Sequence, residues 1–282
     1  MRIRRMEETD LDFAVLSAAR EGWTSEGREE FEAFLLHEPE GCFIAEDQTG
    51  PVGISVATSY DTDGFFGELI VAPEARGKGI GRRLLDHAVT YLRDRGTAHI
   101  YLDGVIKAVP MYERAGFRAV CPSYRMRGIA EGRDTEGVRT MRPGDLDDVC
   151  RLDRDAFGAD RRFFLNWILA RCPDFCKVLI QNGRIGGYVM GRCREQTVAV
   201  GPWIASPDVT RPERLLFALA EATGYRPMRI GVLGANTRSL DLLKFIGFGE
   251  ENQTPPLRMV LGDKSRLGFS EQCLSIGTPA KG

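Results

Sequence analysis

The sequence predicts an α/β (α+β) fold of two tandem domains, each with a mixed, mostly antiparallel central sheet flanked by helices. Segments with strand and helix periodicity alternate through the first half of the chain. The second half repeats short pieces of the first half, displaced by up to 135 residues. Because 282 residues and 31.4 kDa exceed the usual size of one domain, a repeated domain accounts for the length.

The first half is expected to follow the order strand, two helices, three strands, helix, strand, helix and strands. Residues 42–45 and 52–57 are strand-like and flank a Gln48-Thr49-Gly50 turn, which predicts a hairpin. A helix is expected from about Gly79 to Arg95, because apolar residues recur there at helical spacing and Gly96 follows.

Residues 67–85 are the most informative segment, because a strand, a glycine-dense turn and a helix start follow one another without a break. Gly77, Gly79 and Gly81 can adopt backbone angles closed to other residues and let a ligand approach the main chain. The helix that follows directs unpaired N–H groups and a partial positive charge toward the turn. This junction predicts a binding site for a pyrophosphate group.

Two common phosphate-binding motifs do not match this turn. A P-loop requires Gly-x-x-x-x-Gly-Lys-Ser/Thr, but Lys78 lies between two glycines and no hydroxyl residue follows it. The dinucleotide fingerprint Gly-x-Gly-x-x-Gly, started from Gly77 or Gly79, places Arg82 or Leu84 where the third glycine is required. The pattern that remains is Arg-x-x-Gly-x-Gly.

Arg76, Gly79 and Gly81 supply that pattern, which resembles the phosphate-binding segment of the GNAT superfamily of N-acetyltransferases. Residues 111–117, Met-Tyr-Glu-Arg-Ala-Gly-Phe, resemble the tyrosine-containing helix end of the same superfamily. The resemblance implies that acetyl-CoA binds as a cosubstrate, and no metal ion is expected. The cofactor-binding residues that it implies are Leu69, Ile70, Val71, Arg76, Gly77, Lys78, Gly79, Ile80, Gly81 and Arg82. For Arg82, an ordinary exposed helix arginine is the alternative interpretation.

Glu68 and Tyr112 are the candidate catalytic residues. A primary amine with a pKa near ~10.4 is almost wholly ammonium at neutral pH, and its deprotonation costs about 4 to 5 kcal/mol. Glu68 alternates with Leu69 and Val71 on the predicted strand, so we expect it to face away from them and to serve as the base; a solvent-facing glutamate is the alternative. The Tyr112 phenol is the candidate acid for the leaving CoA thiolate, unless it only packs at the helix end. Backbone N–H groups near Val71 are expected to polarise the thioester carbonyl.

The repeat also defines the predicted domains. Residues 1–130 are predicted to form the catalytic domain, residues 131–137 a linker, residues 138–262 a degenerate domain of the same type, and residues 263–282 a C-terminal tail.

The second domain is predicted to be degenerate because it lacks the features of the phosphate site. Its counterpart of the glycine turn, residues 208–214, contains no glycine. A displacement of 131 residues places Leu243 opposite Tyr112 and Asn236 opposite Val105. The second domain therefore has the asparagine that often precedes the superfamily tyrosine, whereas the first domain has the tyrosine and the glycines. We expect one active site, in the first domain.

The acceptor is predicted from residues 21–27, Glu-Gly-Trp-Thr-Ser-Glu-Gly, which lie between the first two helices. The resemblance implies that this segment lines the acceptor pocket. Its acidic residues would attract a cation, so the expected partner is a small-molecule amine of polyamine or amino-acid type. Phe65 and Phe66 are expected to add an apolar wall, while Trp23 suits the core equally well. The alternative function is a non-catalytic acyl-CoA-binding sensor or interaction protein.

The composition argues against several other classes of protein. A net charge of −2 and a pI of about 6.0 give no basic surface for nucleic acid or anionic membranes. No apolar run approaches the ~20 residues that span a bilayer, so neither nucleic acid nor membrane is expected as a partner. The seven scattered cysteines favour reduced thiols and a cytoplasmic protein, expected as a monomer or homodimer.

Overall fold

The computed structural model describes residues 1–23, 26–193, 196–263 and 267–282. They form two compact units, each with its own set of paired strands, helices and buried residues. Of the described residues, unit 1 contains 1–119, 259–263 and Lys281, and unit 2 contains 120–258, 267–280 and Gly282.

Unit 1 follows the predicted order of elements, which confirms the predicted fold class. Its helices and strands are β1 (Arg2–Arg5), α1 (Leu11–Arg20), α2 (Arg28–His37), β2 (Cys42–Asp47), β3 (Gly50–Tyr60), β4 (Asp63–Val71), α3 (Ile80–Asp94), β5 (His99–Gly104) and α4 (Val109–Glu113).

The sheet of unit 1 has the strand order β1-β2-β3-β4-β5. Neighbouring strands are antiparallel except β4 and β5, which are parallel. The connection between β4 and β5 passes through α3, as a parallel crossover requires. Because β4 and β5 are parallel, their carboxyl ends point toward the same edge of the sheet.

Helix α3 forms where the apolar spacing predicts it. Gly79 is its N-cap residue, with a φ of +76°, and Gly96 follows its end with a φ of +84°. Gly53 on β3 allows the helix to lie close to the sheet, because a Cβ there would come within 3.2 Å of a Leu84 methyl group. The buried side chains of α3 are Ile80, Leu84, Leu85, Ala88 and Leu92.

Unit 2 repeats the architecture of unit 1. Its sheet has the order β6-β11-β10-β9-β8-β7, with β10 and β11 parallel and the other pairs along this order antiparallel. The strands and helices of the second half of the chain, together with β6, are β6 (Arg118–Gly128), β7 (Val138–Thr140), α5 (Leu146–Phe157), α6 (Arg162–Arg171), β8 (Cys176–Gln181), β9 (Arg184–Cys193), β10 (Val198–Ala205), α7 (Glu213–Ala222), β11 (Met228–Leu233), α8 (Thr237–Phe245), β12 (Gly249–Glu250), β13 (Leu257–Leu261) and β14 (Cys273–Ser275).

One ion pair shows that the sequence repeat is also a structural repeat. Arg4 donates two hydrogen bonds to the Asp10 carboxylate, at 2.6 and 2.8 Å. In unit 2, Arg139 donates to Asp145 with the same two distances. In both units the bidentate pair joins the first strand to the start of the first helix.

The structure divides the chain differently from the predicted domain boundaries. Strand β6 pairs with β11, so residues 120–128 belong to unit 2, whereas residues 259–261 of β13 lie beside β5 in unit 1. The predicted boundary at residue 130 therefore falls inside unit 2. Local sequence patterns identify strands but do not determine which distant strand each one joins.

The predicted linker, residues 131–137, packs against helix α7 of unit 2. The Arg214 side chain donates a hydrogen bond to Asp134 at 3.0 Å. A Cβ atom on Gly132 would lie 2.3 Å from the Phe217 ring, so only glycine allows this close approach. The segment is therefore an ordered part of unit 2.

Among the helices of the described residues, none is both long enough and apolar enough to cross a membrane.

Candidate active site

A β-bulge interrupts strand β4 of unit 1. Ile54 of β3 pairs with Ile70, but Val56 pairs with Gly67, so β4 contains one more residue than β3 over this stretch. Glu68 lies in the bulge with a φ of +52°. A bulge re-aims the side chains of the strand that contains it, and Glu68 is buried while Leu69 and Val71 are only partly buried.

Strands β4 and β5 are paired at one end only. Their parallel register runs from Asp63 and His99 to Phe65 and Tyr101. Strand β4 continues to Val71 and β5 to Gly104. Main-chain groups of β4 beyond Phe65 are therefore available on the β5 side to an extended, hydrogen-bonding ligand.

The glycine turn lies directly after this divergence. Gly77 and Gly79 both have a φ of +76°, and a Cβ built on either would meet nothing within 4 Å. Among the described residues, no backbone carbonyl accepts a hydrogen bond from the N–H groups of residues 77–79. The first N–H groups of α3 also have no partner within the helix. Together they form a concentrated set of main-chain donors at a helix N-terminus.

The predicted arginines of the turn are engaged with other groups. Arg76 donates a hydrogen bond to the Val71 carbonyl at 2.9 Å and forms an ion pair with Glu21. Arg82 pairs with Asp86 one helical turn later, at 2.7 Å. Their charges are partly compensated, so the main-chain donors are the more direct candidates for binding an anion.

Tyr112 is buried in α4, with 6% of its surface exposed. Its ring packs edge-on against Phe66 and Phe117, and Gly104 of β5 lies against the same ring. Within the described segments, the Tyr112 hydroxyl has no hydrogen-bond partner. Burial raises the pKa of this phenol above its ordinary value, so the group keeps its proton at neutral pH.

Glu68 is a buried carboxyl group with an unsatisfied oxygen. It is 4% exposed, and its Oε2 atom has no hydrogen-bond partner among the described residues. Burial raises the pKa of Glu68 well above its ordinary value, and the nearby Glu26 and Glu30 carboxyls raise it further. The Lys281 ammonium lowers it. A carboxyl group in this environment is a stronger base than a solvated one.

The predicted acceptor segment is only partly described. Thr24 and Ser25 lie outside the described residues, Trp23 is half-buried, and Glu26 is buried. Glu21 binds Arg76 and Lys107 on the outside of the turn. Of the two acidic residues in this segment, Glu26 is therefore the one whose charge acts on Glu68.

Phe65 and Phe66 are core residues of unit 1. Phe65 stacks on Tyr101 with ring centroids 5.5 Å apart, and Phe66 contacts Tyr112. Because they are adjacent on a strand, they face opposite sides of the sheet. Each is at most 1% exposed, so both rings are packed into the core.

Sequence reasoning missed two charged residues near Glu68. Glu30 is buried on α2, and its carboxylate accepts a hydrogen bond from the Gly27 N–H at 2.9 Å. Glu30 lies four residues before Phe34, and this spacing places both on the inner face of α2. The spacing could therefore have indicated from sequence that Glu30 is buried. Lys281 is separated from Glu68 by most of the chain, and no local pattern indicates it.

The corresponding region of unit 2 is filled by the chain itself. Strands β10 and β11 pair only from Val198 and Met228 to Val200 and Ile230. Beyond that point β14 pairs with β10, and the Ile276 N–H donates to Gly231 of β11 at 2.9 Å.

The residues predicted to distinguish unit 2 have structural roles. Asn236 is the N-cap of α8, where its side chain accepts from the Ser239 N–H and donates to the Cys273 carbonyl. Leu243, the counterpart of Tyr112, is fully buried. The Asn236 side chain therefore holds the C-terminal segment against the start of α8.

Comparisons with known proteins identify the family to which both halves of the chain are similar. The model of the GNAT acetyltransferase family matches residues 5–117, and a GNAT acetyltransferase domain model matches residues 149–272. The chain is 30% identical over 199 residues to the uncharacterized N-acetyltransferase YitH of Bacillus subtilis, an alignment that covers 68% of each protein. It is 26% identical to the holothin acyltransferase of a Pseudoalteromonas species, over 78% of this chain and 74% of the relative.

A solved structure shows the same fold over the whole chain. The crystal structure of a putative acetyltransferase from Pyrococcus horikoshii superimposes with a TM-score of 0.81, at 24% identity, and covers 100% of this chain and 95% of that one. The fold and the two family matches define an acyltransferase with two domains of one type. The chain belongs to the GNAT acetyltransferase family.

Proposed function

We propose that unit 1 transfers the acetyl group of acetyl-CoA to a primary amine of a small molecule, by direct attack of the amine in a ternary complex. The observation that carries this proposal is the junction of β4 and α3. There, the N–H groups of residues 77–79, which have no main-chain acceptor among the described residues, lie directly after the point where β4 has separated from β5. One end of this junction suits a pyrophosphate, and the other suits an extended arm that carries amide groups.

Each part of the junction has a role in the proposal. The N–H groups of residues 77–82 bind the pyrophosphate, and the main chain of residues 69–71 pairs with the pantetheine arm and polarises the thioester carbonyl. The open space at Gly77 and Gly79 allows the phosphates to approach the backbone. Acetyl-CoA supplies the activated acyl thioester.

Two side chains move protons in the proposed reaction. Glu68 accepts a proton from the acceptor ammonium, directly or through water, because its buried carboxylate is a strong base. Tyr112 donates its phenolic proton to the departing thiolate. Tyr112 begins the reaction in the required state, since burial favours a protonated phenol.

The acceptor is proposed to be a cationic small-molecule amine. Glu26, Glu30 and Glu68 are all buried in unit 1, and their charges act on one another. Such a cluster attracts an ammonium group and disfavours an acidic acceptor.

We place the reaction in the cytoplasm. All seven cysteines of the chain are free thiols. Free thiols persist in reducing compartments.

The proposal is tested first by binding and turnover. We expect acetyl-CoA to bind in isothermal titration calorimetry, and a panel of polyamines and amino acids to include an amine that releases CoA thiol. Acyl-CoA binding without amine-dependent thiol release would favour the non-catalytic sensor. Absence of acetyl-CoA binding would contradict the proposed site itself.

A Tyr112→Phe variant tests the proposed acid. We expect turnover to fall by about 10² to 10⁴-fold, the usual contribution of a general acid, with an unchanged Kd for acetyl-CoA. Tyr101→Phe is the matched control, because Tyr101 is buried in the same unit and its hydroxyl already donates to Asp63 at 3.0 Å. Equal activity of the two variants would remove Tyr112 from the mechanism.

A further inference from the structure

Lys281 is a buried lysine within unit 1. It is 4% exposed, and its Nζ atom lies 4.9 Å from the centre of the Phe34 ring. Its main-chain carbonyl accepts a hydrogen bond from the Tyr60 hydroxyl at 3.0 Å. A cation over an aromatic ring, with its backbone fixed by a buried phenol, has a defined position.

This position places the Lys281 ammonium against helix α2, which holds Glu30 of the acidic cluster. Phe34 and Glu30 are four residues apart on α2 and are both buried, so they share one helix face. Tyr60 packs edge-on against Phe65, which precedes Glu68 on β4. The contacts of Lys281 therefore reach the strand that holds Glu68 and the helix that holds Glu30.

The charges around Glu68 are unbalanced without this lysine. Glu26, from the segment before α2, and Glu30, from α2, are both like charges for an ionised Glu68. Lys281 is the opposite charge that acts on Glu68, and it also acts on His37 at the end of α2. An isolated carboxylate in a buried site is costly unless a cation compensates it.

We propose that Lys281 is a positioning residue for the reaction, whose ammonium opposes the like charges of Glu26 and Glu30 at the Glu68 carboxyl and so favours its ionised form. Lys281 touches neither the thioester nor the acceptor in this proposal and acts through Glu68. The inference rests on the proposed function for its catalytic meaning. The coupling of Lys281 to Glu68 can be measured without any substrate.

The test follows the titration of Glu68 by NMR of protein labelled with ¹³C at the glutamate carboxyl carbons, with the signal assigned through Glu68→Gln. Lys281→Met removes the charge and keeps much of the side-chain volume, so we expect the Glu68 midpoint to rise by about one pH unit or more. Lys281→Arg keeps the charge and should leave the midpoint close to that of the unchanged protein. Lys244→Met, which removes a half-exposed lysine of unit 2, is the control for a general loss of positive charge.

A second variant keeps the proposal testable if Lys281→Met does not fold. Lys281→Gln also removes the charge and retains a polar end. We expect it to raise the Glu68 midpoint as Lys281→Met does. Glu30→Gln removes a like charge but keeps an acceptor for the Gly27 N–H. The Glu68 midpoint of this variant should therefore move to lower pH. A midpoint that is the same in Lys281→Met, Lys281→Gln and the unchanged protein would overturn the proposal.

Kinetics separate this inference from the proposed function. If an amine acceptor is found, the acidic limb of the kcat/KM profile should move to higher pH in Lys281→Met and stay in place in Lys281→Arg. A displaced NMR midpoint without any acetyl-CoA-dependent turnover would retain the Lys281–Glu68 coupling and reject the proposed reaction. Turnover with an undisplaced midpoint would reject the role of Lys281 alone.

Discussion

Glu68 illustrates how a catalytic candidate can reduce the stability of the fold that holds it. Its carboxyl is buried, one oxygen has no partner among the described residues, and its φ of +52° is unusual for a residue with a side chain. Burial raises its pKa, and so do Glu26 and Glu30. Each of these features costs folding free energy and is useful to a base.

Glu68→Gln should therefore stabilise the protein at neutral pH. In the folded state the pKa of Glu68 is above its unfolded value near ~4.3, so the folded state binds its proton more tightly and the free energy of unfolding decreases as the pH rises through this range. A neutral glutamine does not titrate. In calorimetric scans, we expect the variant to have a higher Tm at neutral pH and an unchanged Tm at acidic pH. Each kcal/mol of added stability should raise the Tm by about 2–4 °C.

Asp10→Asn provides a control of opposite sign. Burial raises the pKa of Asp10, but the Arg4 guanidinium and the Glu7 N–H outweigh burial, so the net pKa is lowered. Asp10 therefore stabilises the fold above its unfolded pKa, and that contribution is lost as the pH falls. Asp10→Asn should lower Tm at neutral pH. If both variants changed Tm in the same direction at neutral pH, the assignment for Glu68 would be contradicted.

At the level of elements, the β4–α3 junction combines a turn that favours glycine with main-chain donors. Gly79→Ala tests this element, because alanine at a φ of +76° costs about 1–2 kcal/mol and its methyl group enters the space assigned to the phosphates. We expect a modest loss of stability and about a tenfold or greater loss of acetyl-CoA affinity, measured by urea unfolding and calorimetry.

Gly96→Ala is the matched control for the other end of α3. Gly96 has a φ of +84°, and a Cβ there would also meet nothing within 4 Å. The two variants should lose similar stability, while Gly96→Ala keeps its acetyl-CoA affinity. Equal affinities in the two variants would mean that the turn at Gly79 does not bind the phosphates.

The elements were predictable from sequence to the extent that they depend on local patterns. The spacing of Leu84, Leu85 and Ala88 and the flanking glycines indicated α3, and the strands around the Gly50 turn formed as expected. The bulge at Glu68 had no signal, because glycine normally marks a positive φ and a glutamate is present here. The position of Lys281 depends on a contact between distant segments, which periodicity cannot report.

At the scale of the whole molecule, the two units use buried charge in opposite ways. Unit 1 contains a carboxyl, Glu68, with an unpartnered oxygen among the described residues, whereas unit 2 contains a saturated pair. Arg161 donates to both oxygens of Asp153, at 2.6 and 3.1 Å, and Tyr188 donates to the same carboxylate. The repeat predicted two domains of one fold, but only the structure distinguishes the unit with the unsatisfied acid from the one with the neutralised acid.

Asp153→Asn tests the structural role of unit 2. It leaves the Arg161 guanidinium buried without its counter-charge, and removing one partner of such a pair costs about 3–5 kcal/mol. The matched control is Asp147→Asn, which removes the partner of Arg162 from an exposed pair of similar length, 2.7 Å, and should cost about 1 kcal/mol or less. Urea unfolding of both variants measures the difference, and a similar small loss in each would show that the buried pair does not stabilise unit 2. Because the proposed catalytic groups all belong to unit 1, Asp153→Asn protein that remains folded should bind acetyl-CoA with unchanged affinity in calorimetry.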